Sequence, residues 1–174
     1  MDHRHHYAVS VEWTGDRGSG TSGYRAYGRD HVIRAEGKLH ELSGSADPAF
    51  FGDTERWNPE ELLLASLAQC HMLSYLYVAS QRGIVVVGYR DAAVGSLEQT
   101  ADGGGRFSEA VLRPVVTIAS GDPADALDAH KEASRLCFIA STGVRRSSIG
   151  ESGSRRRIWY RMLRQRVLGS AAPA

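Results

Sequence analysis

The sequence predicts an α+β domain in which an antiparallel sheet wraps around one long buried helix, in the order β-β-α-β-β-α. Three observations carry that prediction: an alternating apolar stretch near the amino terminus, an apolar segment of helical length opened by Asn58-Pro59-Glu60-Glu61, and two β-rich runs joined across Gly103-Gly104-Gly105. With 174 residues, 42% hydrophobic and 24% charged, the chain has the size and composition of one globular domain with a sizeable core.

Tyr7, Val9, Val11 and Trp13 alternate with Ala8, Ser10 and Glu12, the period of a half-buried strand. A glycine-rich connection runs from Gly15 to Gly28, and His31 to Glu36 can pair back on the first strand. Gly18-Ser19-Gly20-Thr21-Ser22-Gly23 matches the spacing of a dinucleotide-binding loop, but no helical pattern follows to hold a pyrophosphate, so it reads as a flexible turn. Residues 37–57 read as a loop, broken by Gly44, Pro48 and Gly52. Asn58 then suits an N-cap, Pro59 the first helical position, and Glu60 and Glu61 the positive end of a helix dipole. From Leu62 to about Arg82 apolar residues fall on nearly every face, the mark of a buried helix, and Gly83 ends it. Ile84 to Glu98 and Arg106 to Ala119 form a hairpin, with Pro114 marking an edge or a bulge. Asp122-Pro123 opens a second helix on which Leu127, His130, Ser134 and Cys137 would share a face.

Charge divides the chain more sharply than its formal total of +1 implies. Residues 142–174 hold eight arginines against Glu151 alone, a net of +7, which leaves −6 for residues 1–141. The expected organisation is therefore a domain over 1–141 and a basic, divergent, poorly ordered tail over 142–174, with a short helix from Ile158 to Leu168 as its one candidate element. No apolar run is read as a membrane span and the histidine-rich start does not resemble a signal peptide, so a cytoplasmic protein with no membrane partner is expected. Two cysteines are too few for a disulfide framework, and without a C-x₂-C pair they do not suggest a closed zinc site. His71 and His130 adjoin the cysteine-bearing faces and keep a mixed Cys/His site open as a rival. Redox or nucleophilic chemistry is the remaining use for Cys70 and Cys137, against a plain reading of both as core filler.

Asn58-Pro59-Glu60-Glu61-Leu62, followed by Cys70-His71-Met72-Leu73 and later Cys137-Phe138-Ile139-Ala140, closely resembles the OsmC family of osmotically induced and organic hydroperoxide resistance proteins. Trp13-Thr14-Gly15 and the element order fit as well, over roughly residues 7–141. The resemblance implies a cysteine peroxidase without metal, flavin or haem. Cys70 would attack the peroxide, Cys137 would resolve the sulfenic acid as a disulfide, and Glu60 would orient an arginine that lowers the Cys70 pKa from the free value of about 8.5. Arg17, Arg25 and Arg29 are candidates for that arginine; Arg29, at the entry to the second strand, is favoured because sheet pairing can hold it. The implied partners are an organic hydroperoxide, a dithiol reductant of lipoyl or small-thiol type, and a second copy of the chain. Ten residues along one helix put Glu60 about 15 Å from Cys70 in rise, so the Glu60 serving each Cys70 would come from the other subunit of a two-fold homodimer. Two other readings stand beside it: a non-catalytic module on the same fold holding a lipid-like ligand, and, from the tail alone, nucleic-acid binding.

Overall fold

The computed structural model describes residues 3–142, 160–162 and 166–169. These fall into two compact units, over residues 1–63 and 64–174. The first unit is a small antiparallel sheet of β1 (Ser10–Trp13), β2 (His31–Arg34) and β3 (Leu42–Gly44), with β2 in the middle. Ser10 lies opposite Arg34 and Trp13 opposite His31, while His31 also faces Gly44. The expected return of the second strand on the first is thus present. The third strand and a 3-10 turn over Pro48–Phe50 stand where a plain loop was expected.

The long connection between β1 and β2 is closed at its base. Thr14 N–H donates to Asp30 O, Gly28 N–H to Gly15 O, and Trp13 Nε1–H to Gly28 O at 2.9 Å. A Cβ on Gly15 would lie 2.1 Å from Gly28 O, so only glycine permits the approach. The N–H groups of Gly18 and Gly20 both donate to Asp16 Oδ1, at 2.8 and 2.9 Å. They close the turn on its own aspartate and are not presented to an outside anion.

Helix α1 (Pro59–Gln81) starts in a reciprocal capping box. Asn58 Oδ1 accepts from Glu61 N–H at 2.8 Å, and Glu61 Oε2 accepts from Asn58 N–H at 3.2 Å. At its other end Gly83 takes a φ of 70° and Ile84 N–H returns to Ala79 O, a Schellman-type closure. At 23 residues α1 is, by length and composition, apolar enough to cross a membrane, contrary to the expectation that no segment would be. Its buried His71 hydrogen-bonds a second histidine of the same unit, which is the role of a core helix. Full burial is not observed either. Leu67, His71, Tyr75, Val78 and Ala79 are buried, whereas Leu73 is 60% and Tyr77 59% exposed. Val11 of β1 and Val9 just before it are exposed too.

The predicted hairpin is present but bent into two ribbons. β4 (Val85–Asp91) pairs with β7 (Pro114–Ser120), and β5 (Val94–Gln99) with β6 (Gly105–Leu112), both antiparallel. The break lies at residues 92–93 and at Arg113. There Asp91 Oδ1 accepts from Arg113 N–H at 2.6 Å, and Pro114, opposite Asp91, needs no ladder donor as the first residue of its strand.

Helix α2 (Pro123–Leu136) is capped by Asp122 Oδ1, which accepts from Ala124 N–H at 2.7 Å. Its buried face is Ala126, Ala129, His130 and Ala133, with Leu127 exposed, so the expected Leu127 stripe is corrected. Alanines bring the helix backbone close enough for Tyr75 Oη–H to donate to Ala126 O at 3.1 Å. After Cys137 the short α3 (Phe138–Ser141) follows.

Within residues 158–168, where a short helix was expected, the described residues form strands. β8 (Tyr160–Met162) pairs parallel with β6, and β9 (Arg166–Gly169) parallel with β7. The free edges of β6 and β7 offer unpaired backbone groups, and strand pairing satisfies them. Two strands of the carboxy-terminal segment therefore belong to the second unit. The rest of that segment, residues 143–159, 163–165 and 170–174, lies outside the described residues, and with it most of the expectation of poor order.

Candidate active site

Cys70 lies on α1 between two stripes. On one side runs the buried ridge of Leu67, His71, Tyr75 and Val78; on the other the exposed Leu63, Leu73 and Tyr77. The thiol is accordingly half-buried, while Cys137 is completely buried. Cys137 is not within a helix, as the sequence suggested, but in the joint between α2 and α3, with extended backbone at φ −68° and ψ 108°.

The second unit brings the two cysteines together. Cys70 packs on the cluster of Leu67, Ala110, Leu112 and Cys137, and both thiols are free. Burial pushes the Cys137 thiol up to about 11, aided by its hydrogen bond to Cys70 and by charge there. Backbone N–H groups of Ala140 and Ile139 act in the opposite direction. Cys137 is thus held as a protonated S–H next to a more accessible partner.

Beside the thiols lies a couple whose members the sequence marked as neighbours of the cysteine-bearing faces, but not as partners of each other. His71 Nε2 and His130 Nδ1 are 3.1 Å apart, their rings nearly parallel at 8°, and neither residue is exposed. Tyr75 stacks on His130 with ring centroids 4.1 Å apart. Desolvation lowers both imidazoles to about 4, and for His130 the neighbouring His71 adds to the effect. The outer atoms, His71 Nδ1 and His130 Nε2, have no hydrogen-bond partner among the described residues. The two residues stand 59 apart in the chain, so only helical phase hinted that both face the core. Among the described residues, no group of three or more His, Cys, Asp or Glu is arranged to hold a metal.

The remaining predicted residues belong to the first unit. Arg29 donates through Nη1 to Tyr27 O at 2.6 Å and through Nη2 to Tyr24 O at 2.8 Å, and its guanidinium lies over both tyrosine rings. The favoured arginine is thus folded back on its own loop, because carbonyls and aromatic faces there satisfy it. It does not pair with Glu60, which makes no ion pair among the described residues. Arg25 lies over Phe51 at 4.5 Å, and Phe51 itself sits at a φ of 63°, rare for a bulky residue. Arg17 makes no ion pair or hydrogen bond among the described residues. It lines, with Arg29, Asp30, Phe51, Asp53 and Thr54, an open cleft of about 390 Å³.

Comparison with known proteins supplies the context for this arrangement. Residues 52–149 match the family model described as OsmC-like protein. Among solved structures, an OsmC-like protein of unknown function from Vibrio cholerae is similar with a TM-score of 0.70 and 24% identity, covering 96% of this chain and 99% of that one. An organic hydroperoxide resistance protein from Elizabethkingia anophelis gives a TM-score of 0.62 at 15% identity, over 98% of this chain and 100% of that one. Another, from Legionella pneumophila, gives 0.62 at 15% identity, over 94% and 97%. No curated protein matches the sequence.

Proposed function

Starting from the fact that this chain belongs to the OsmC family, we propose that it is a thiol peroxidase that reduces organic hydroperoxides through Cys70 and Cys137. The observation that carries this reading is the asymmetric contact of the two thiols, Cys70 half-buried and Cys137 fully buried and held protonated. An accessible thiol can meet a substrate, whereas a buried neighbour can meet only the first thiol.

The reaction divides accordingly. The Cys70 thiolate attacks the terminal oxygen of ROOH, the O–O bond breaks, and the alkoxide leaves as ROH after taking a proton. Cys70 is then a sulfenic acid. Cys137 gives up its proton and attacks the Cys70 sulfur, the S–O bond breaks, and water departs, leaving the disulfide. A dithiol of lipoyl or small-thiol type returns two electrons and two protons, restoring both thiols while it becomes a disulfide.

The active unit is a homodimer. Exposed Leu73 and Tyr77 on the helix of Cys70, and exposed Val9 and Val11 at the start of the first sheet, are apolar surfaces that a second copy would cover. Because α1 runs unbroken from Pro59 to Gln81, Glu60 stays ten residues from Cys70 along it. Glu60 and an arginine of one subunit therefore serve Cys70 of the other. Arg17, which makes no hydrogen bond or ion pair among the described residues, suits that task better than Arg29, whose guanidinium already bonds two carbonyls.

Peroxide consumption separates this reading from a lipid-like binding module. Cys70→Ser should abolish reduction of cumene hydroperoxide. Cys137→Ser should consume one equivalent and trap a sulfenic acid detectable by dimedone and mass spectrometry. Equal loss of the first turnover in both variants, or full turnover by Cys70→Ser, would sink the assignment.

A further inference from the structure

We propose that His71 and His130 form a positioning couple whose directional hydrogen bond sets the offset between α1 and α2 at which Cys70 and Cys137 meet. This rests on the two-cysteine reading above and adds a role that neither histidine has in it.

The geometry is that of a helix–helix lock. His71 directly follows Cys70 on α1, and His130 lies seven residues, two helical turns, before Cys137 along α2 and its joint. The Nε2···Nδ1 contact of 3.1 Å and the Tyr75 hydroxyl bond to Ala126 O at 3.1 Å tie the same pair of helices along one seam. The α2 side of that seam is otherwise alanine, at 126, 129 and 133, which packs closely but carries no directional information.

As core filler the couple is a poor choice. Both rings are fully buried, their outer nitrogens have no partner among the described residues, and leucine in both places would leave no orphan atom. What two imidazoles add over two leucines is a bond with one favoured distance and direction. Buried polar contacts of this kind fix register where apolar ones permit sliding. Disulfide geometry is demanding, so a small slide of α1 along α2 is felt first at the sulfurs.

The test measures the effective concentration of the Cys70–Cys137 pair, by equilibrating the full chain in glutathione redox buffer at pH 7 and quantifying the disulfide. Loss of one partner, in His71→Leu or His130→Leu, should lower it by about tenfold, the equivalent of one hydrogen bond. His71→Gln with His130→Asn, whose amides stand in for the two bonded ring nitrogens, should recover it to within about threefold. His71→Leu with His130→Leu distinguishes positioning from mere stability. It removes both orphan atoms, so thermal stability should match or exceed the parent, while the effective concentration stays about tenfold low. Parental effective concentration in the doubly leucine variant overturns the proposal, and that variant decides even where the single ones fail to fold. If the variants behave as expected but the parent chain leaves cumene hydroperoxide intact, the peroxidase reading falls and the positioning role stands. If the parent forms no Cys70–Cys137 disulfide in the glutathione buffer, both fall.

Discussion

The two sides of α1 are built from similar residues and serve different ends. One side presents Leu67, His71, Tyr75 and Val78 to the core, where Tyr75 is fully buried and both its ring and its hydroxyl are engaged. The other presents Leu63, Leu73 and Tyr77, of which the last two are more than half exposed. Hydrophobicity alone does not distinguish the sides, since Tyr75 and Tyr77 are the same residue type two positions apart. The difference lies in what each side finds to pack against. Cys70 stands on the boundary, so its thiol is reachable from outside while its neighbour Cys137 is not.

The comparison can be broken most forcibly on the buried side. Tyr75→Ala removes a ring packed on His130 and Tyr89 and leaves a cavity, and should destabilise the fold by about 3–5 kcal/mol in denaturant unfolding, as for other buried aromatics. Tyr77→Ala should cost less than about 1 kcal/mol in dilute protein, because its ring is already largely solvated. Similar losses in the two variants would erase the distinction between the sides.

Acid probes the same side without a mutation. His71 and His130 have folded-state values of about 4 against an ordinary 6.5, so the folded chain binds fewer protons than the unfolded one below pH 6.5. Their contribution is fully present above pH 6.5 and is lost as pH falls through the window toward 4. By pH 5 the expected loss is about 2 kcal/mol per imidazole. Replacing both histidines by leucine should flatten that part of the stability–pH curve. A curve unchanged by the replacement would mean the pair is not the titrating element.

On the exposed side the effect on chain stability should be smallest and the effect on association large. Leu73→Arg should change unfolding of the dilute chain by no more than about 0.5 kcal/mol while abolishing the proposed dimer in sedimentation. A variant that still dimerises would place the interface elsewhere.

The local signals along α1 and α2 were legible because they are local. Asn58, Pro59, Gly83, Asp122 and Pro123 each act within four residues, and all do what their types predict. The bend of the hairpin at Arg113 was half legible, through Pro114 alone. Three features escaped for reasons of distance and scale. The His71–His130 bond joins residues 59 apart, which no spacing rule links. Burial of alanines in place of Leu127 follows from how closely α2 must approach Tyr75, whereas apolar periodicity weighs side-chain size in the opposite sense. Strands β8 and β9 arise in an arginine-rich stretch whose composition argues against them, because edge pairing to β6 and β7 satisfies backbone groups whatever the side chains. At the site, the two cysteines singled out in the sequence share one cluster, while the contacts that hold Arg29, carbonyls and rings of its own loop, follow from loop conformation that no spacing rule gives.

The central claim is that Cys70 and Cys137 act on each other. Its most direct test is to treat the reduced chain with one equivalent of cumene hydroperoxide, quench with an alkylating agent, and map peptides by mass spectrometry without reductant. The account predicts one cross-linked species joining the Cys70 and Cys137 peptides, formed as the peroxide disappears and reversed by a dithiol. Cys137 recovered as alkylated thiol, with Cys70 either untouched or oxidised to sulfinic acid, would contradict it.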